Sequence, residues 1–119
     1  MGVGPIVDVR VVEEGEGYVV EASGELDLGA VEAMTRAVMA VRAARLWAHQ
    51  PLVIDLADVG FMDSEGLRAL LVARQLGGGS PRSVVLRNPS ERVLATLALA
   101  GLGDAFVLDP PGPSARQDT

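Results

Sequence analysis

An α/β fold is predicted, with a mixed, mostly parallel sheet of four to five strands, an opening hairpin and three or more packed helices. Three observations carry it. Strand-like and helix-like apolar periods alternate in the order β-β-α-β-α-β-α-(β). The first two strand patterns are separated only by a turn. The third, Leu52-Val53-Ile54-Asp55-Leu56, is almost entirely apolar, as buried parallel strands are.

Residues 6–12 and 18–23 are strand runs joined by Glu13-Glu14-Gly15-Glu16-Gly17, which makes them a hairpin. Gly24-Glu25-Leu26-Asp27 then leads into a helix. Its apolar positions Val31, Met34, Val38 and Val41 step by three and four residues and form one face, and Met34 and Met39 read as packing residues of that helix. Pro51 closes the following linker. The third strand comes next, and its two-sided apolar character predicts cover on both faces of the sheet. A second helix runs over residues 64–76 and stops at Gly77-Gly78-Gly79. Residues 82–87 form another strand. Asn88 as N-cap, Pro89 at the first helical position and Glu91 closing a capping box start the third helix, which ends near Gly101 or Gly103. Residues 105–108 add a short edge strand. Residues 1–108 are thus one domain, and 109–119, with Pro110-Pro111-Gly112-Pro113, read as a disordered tail.

Composition narrows the function. The 119 residues carry a net charge of −6, and the arginines are spread along the helices rather than clustered, which argues against nucleic acid or an anionic membrane as partner. There is no cysteine, so thiol chemistry and Cys-based metal sites are excluded. His49 has no second ligand at metal-binding spacing. No apolar run approaches the roughly 20 residues of a membrane helix, and no leader pattern is present, so a cytoplasmic domain without cofactor is expected. Aromatic residues are few (Tyr18, Trp47, Phe61, Phe106), so the core must be aliphatic, and Trp47 reads as local packing.

The most informative stretch is Val59-Gly60-Phe61-Met62-Asp63-Ser64-Glu65-Gly66-Leu67, between the third strand and the second helix. Ser64 lies at a helix mouth, where unpaired N–H groups and the positive end of the dipole accept an anion. Serine there is an N-cap, a phosphoacceptor or both. Asp27 ends the second strand as Asp63 ends the third. If the first helix is a right-handed crossover, both fall on one carboxyl rim. Asp27 is either the cap of the first helix or a residue that positions a partner. Asp63 and Glu65 do not amount to a catalytic pair, since nothing else assembles a pocket around them. Asp55 faces the rim or bonds a neighbouring loop.

Two of these stretches resemble a family. Gly24-Glu25-Leu26-Asp27 resembles the "GELD" of STAS domains. The segment from Val53-Ile54-Asp55-Leu56 through Phe61-Met62-Asp63-Ser64-Glu65-Gly66-Leu67 resembles their strand, loop and "DSSGL"-type phosphorylation motif. The similarity is strongest to the small anti-sigma factor antagonists of bacterial partner switching, and it covers residues 6–108 in element order. It implies the STAS-like version of the fold. It also implies that the unphosphorylated protein binds an anti-sigma factor that is a serine kinase, freeing a sigma factor. Phosphorylation of Ser64 then abolishes binding, and a metal-dependent serine phosphatase restores it. Asp27, Asp63, Glu65, Gly66, Leu67 and Arg68 are the implied partner-binding residues, on a monomer or weak dimer. Glu65 departs from the pattern, standing where a second small hydroxyl residue is usual. The competing readings are a STAS scaffold subunit of a large signalling assembly and a sensor domain holding a nucleotide or lipid at the rim.

Overall fold

The computed structural model describes residues 8–15, 17–44 and 50–111. Along the chain run β1 (Asp8–Glu14), β2 (Gly17–Leu26), α1 (Ala30–Ala44), β3 (Leu52–Met62), α2 (Ser64–Gly77), a single 3-10 turn (Pro81–Ser83), β4 (Val84–Arg87), α3 (Glu91–Leu99) and β5 (Val107–Asp109). The five strands lie side by side in sequence order. β1 and β2 form the expected antiparallel hairpin, and every later neighbour is parallel.

A sheet that always advances in one direction through right-handed crossovers receives every helix on the same face. The core agrees. Val20, Ala22 and Leu26 of β2, Leu52, Ile54 and Leu56 of β3, and Val84 and Leu86 of β4 pack with Met34 and Val38 of α1, Leu70 of α2, and Val93 and Leu97 of α3. The two-sided cover expected for β3 is therefore corrected: all three helices share one side. On the other side the register sets one valine per strand in a row, Val12, Val19, Val53, Val85 and Val107. The adjacent row is charged: Arg10, Glu21, Asp55, Arg87 and Asp109.

β3 is longer than its sequence period suggests. The register slips between Glu21 and Ser23 and again between Gly24 and Glu25, because β3 spends one extra residue each time. Two bulges therefore move its inward positions from Leu56 to Val59 to Met62, a spacing of three where a plain strand has two. The segment read as a loop is strand. The first bulge lies beside Asp55, whose carboxylate accepts from the Ala57 N–H at 2.8 Å.

Other boundaries shift for local reasons. The N-cap of α3 is Ser90, accepting from Val93 N at 3.2 Å, and not Asn88. Asn88, preceding a proline and thus disfavoured in the right-handed helical region, takes a left-handed φ of 56° and donates its N–H to Asp109 O at 2.7 Å. That bond accompanies the inclusion of Asp109 in β5, one residue beyond the expected strand end at 108. Ser80 and Ser83 close a capping box around the 3-10 turn, which takes Arg82 and Ser83 out of β4. Met39, read as packing, is 49% exposed. Trp47, His49, the strand start at residues 6–7 and the tail beyond residue 111 lie outside the described residues. No helix among the described residues is long and apolar enough to cross a membrane.

Candidate functional site

The carboxyl ends of β2 and β3 are locked together. Leu26 pairs with Met62 in register, and Asp63 N donates to Leu26 O at 3.2 Å. The first turn of α2 is pressed onto the same carbonyl. A Cβ at Gly66 would fall 2.2 Å from Leu26 O and 2.5 Å from Met62 Cγ, so only glycine lets the helix come this close. Gly66 is buried and sets the geometry of the rim rather than offering a contact surface.

Asp63, in extended conformation (φ −110°, ψ −164°), caps α2: its Oδ1 accepts from Glu65 N at 2.9 Å and Gly66 N at 3.2 Å. Leu67 N donates to Asp63 O at 3.0 Å, beginning the helical ladder. This corrects the sequence reading in two ways. Ser64 is not the cap but the first helical residue. The helix mouth is not an open anion cradle either, because a carboxylate already takes two of its amides. Ser64 itself is exposed, and its hydroxyl makes no hydrogen bond among the described residues. A group attached to Oγ points into solvent.

The remaining expected residues distribute around this hydroxyl. Glu65 is half-buried, Leu67 is half-buried against the core, and Arg68 is exposed one turn into the helix. Asp27 follows β2 on the same rim. Its carbonyl, not its side chain, accepts from Ala30 N at 2.9 Å, so its carboxylate does not cap α1. None of Glu25, Asp27, Asp63 and Glu65 has a salt-bridge partner among the described residues.

Two apolar residues escaped the sequence reading. Leu28 is 81% exposed in the turn between β2 and α1, and Phe61, opposite Glu25 in register, is 39% exposed. Leu28 is off the apolar stripe of α1 and is boxed between Asp27 and Gly29, the one signal available. Phe61 was hidden by the bulges.

Chemistry elsewhere is self-contained. Arg87 forks onto Glu14 (Nη1 to Oε1 2.6 Å, Nη2 to Oε2 3.0 Å) and donates from Nε to Asp55 at 2.9 Å. This hydrogen bonding holds the Glu14 carboxyl below its usual range and raises the Arg87 guanidinium above its own. Arg87 and Glu14, with Val19, Pro51 and Val53, border a cavity of about 330 Å³ on the face opposite the helices, away from Asp63 and Glu65. No group of three or more His, Cys, Asp or Glu placed to hold a metal occurs among the described residues.

Comparison with known proteins fits this architecture. The crystal structure of an anti-sigma factor antagonist from Mycobacterium paratuberculosis is similar over 99% of this chain and 97% of that one, with a TM-score of 0.71 and 26% identity. The anti-sigma factor antagonist SpoIIAA in its unphosphorylated form is similar in fold over 93% of this chain and 94% of that one, with a TM-score of 0.62 and 22% identity. None of the curated proteins matches the chain in sequence. The family model described as "Mlab, STAS domain" matches residues 9–109, from the hairpin to the last strand, and the chain therefore belongs to the STAS domain family.

Proposed function

We propose that this protein is an anti-sigma factor antagonist whose carboxyl rim binds an anti-sigma factor kinase, and that reversible phosphorylation of Ser64 turns the binding off. The observation that carries the reading is the state of the Ser64 hydroxyl: exposed, at the start of a helix, and relieved of capping by Asp63. A hydroxyl committed to the cap would have to break that bond to react. This one is free of it.

The chemistry is a single phosphoryl transfer. Ser64 Oγ attacks the γ-phosphorus of ATP held by the kinase, the bond to the bridging oxygen breaks, and ADP leaves while the hydroxyl proton passes to a base of the kinase. The product carries roughly −1.5 to −2 charges. It then lies beside the carboxylates of Asp63 and Glu65 and against the phosphates of the departing ADP. Repulsion and unpaired desolvation at that contact weaken the complex by about 2–5 kcal/mol. Within the chain the dianion stays in solvent, so its effect on the fold is small. A metal-dependent serine phosphatase reverses the step by delivering water to phosphorus and releasing inorganic phosphate. The protein itself is a binding module rather than an enzyme.

Incubation with ATP and the anti-sigma kinases of the same genome, followed by mass spectrometry, tests this. Label is expected on Ser64 and lost in Ser64→Ala, which still binds the kinase. Ser64→Asp binds more weakly than wild type but better than the phosphoprotein. Label that persists in Ser64→Ala ends the proposal.

A further inference from the structure

Leu28 has no packing role within the fold: it is 81% exposed, on a turn where chain geometry leaves it no freedom to retreat. Asp27 N donates to Glu25 O at 3.0 Å, Ala30 N to Asp27 O at 2.9 Å, and Gly29 holds a φ of +91°. The backbone under the leucine is thus held by the turn, so covering it costs the rotamer freedom of one side chain rather than the ordering of a loop. It stands two residues beyond Leu26, whose carbonyl receives Asp63 N and abuts Gly66, so it shares the rim with Ser64. Around it the rim carries Glu25, Asp27, Asp63 and Glu65 with no ion-pair partner among the described residues, and Arg68 as the exposed cation of the first turns of α2.

Resting on the reading of this rim as the kinase-binding surface, we infer that Leu28 is its apolar anchor. The partner that fits is a protein surface with an apolar hollow bordered by lysine or arginine side chains. An apolar knob on a rim that also carries carboxylates divides the work: the charges steer encounter and are screened by salt, while the leucine, once buried, slows departure and is not.

The test uses the full chain and the kinase that labels Ser64, immobilised with ADP. Leu28→Ser is expected to dissociate at least about tenfold faster with association little changed, while its thermal midpoint stays at the wild-type value. Leu28→Met restores wild-type dissociation to within about threefold. Association of every variant slows as NaCl is raised. Leu99→Ser, which alters an equally exposed leucine at the end of α3, leaves both rates unchanged. If Ser64 is labelled but Leu28→Ser dissociates within about twofold of wild type, the anchor is overturned and the phosphorylation reading stands. If no kinase labels Ser64, the reading falls and the anchor falls with it.

Discussion

On the face of the sheet opposite the helices, Arg87 holds two carboxylates at once, and Arg10 lies 3.7 Å from Glu21 and 3.5 Å from Asp8. At the carboxyl rim, Glu25, Asp27, Asp63 and Glu65 have no such cation, and a leucine stands among them in water. The two regions use the same side chains to opposite ends. The first spends its charges inside the molecule, fastening the tip of the hairpin to the middle of the sheet. The second leaves its carboxylates without a cation, Asp63 contributing only as the cap of α2, and their charge stays available to another protein. Strength of charge therefore does not separate these two regions; whether the charges are paired within the molecule does.

The sharpest way to break this division is to disturb the one point where the rim is built like a core. Gly66→Ala drives a methyl into the Leu26 carbonyl, and a loss of about 3 kcal/mol in urea unfolding is expected, together with loss of kinase binding. A Gly66→Ala protein as stable as wild type would mean that the helix does not rest on the strand as described.

Arg87→Met should cost about 2 kcal/mol, because it strands Asp55, a carboxylate with only 15% of its side chain exposed, and frees Glu14. Kinase binding should be unaffected. A binding defect in this variant would erase the distinction between the two regions. Asp63→Ala removes the cap of α2 and should cost about 1 kcal/mol by the same unfolding measurement. It should also shift amide exchange protection specifically at Glu65 and Gly66.

The smallest effect is on pH dependence. Because Arg87 lowers the Glu14 pKa in the folded state, the stability Glu14 contributes is complete above the ordinary value of 4.5 and is lost as pH falls through the lower folded value. Glu14→Gln should flatten that part of a stability profile measured from pH 6 to pH 3. An unchanged slope would mean that the Arg87 fork is not maintained in solution.

Much of this architecture was legible residue by residue. The turn at Glu13-Glu14-Gly15 announced the hairpin, the steps from Met34 to Val38 to Val41 announced α1, and the Gly77-Gly78-Gly79 stop ended α2 where expected. Asp27 and Asp63 were placed on one rim by reading α1 as a crossover between parallel strands, and the parallel register agrees. The failures share a cause. Ser64 and Asp63 are both good caps by composition. The choice between them is made by the bond from Asp63 N to Leu26 O, which holds Asp63 extended at the strand end and leaves Ser64 the first helical conformation. The third strand was read as ending at Leu56 because an inward spacing of three, from Leu56 to Val59 to Met62, belongs to no regular strand; pairing with β2 makes it one.

By itself, then, the sequence determined the order and type of the elements and the position of Ser64 at the mouth of α2, since periodicity, turn chemistry and helix starts act over a few neighbouring residues. Only the tertiary structure decided that Asp63 caps the helix, that β3 carries two bulges, that every helix lies on one face, and that Arg87 meets a glutamate 73 residues away. Those outcomes depend on strand register and on contacts between distant segments, which no local period encodes.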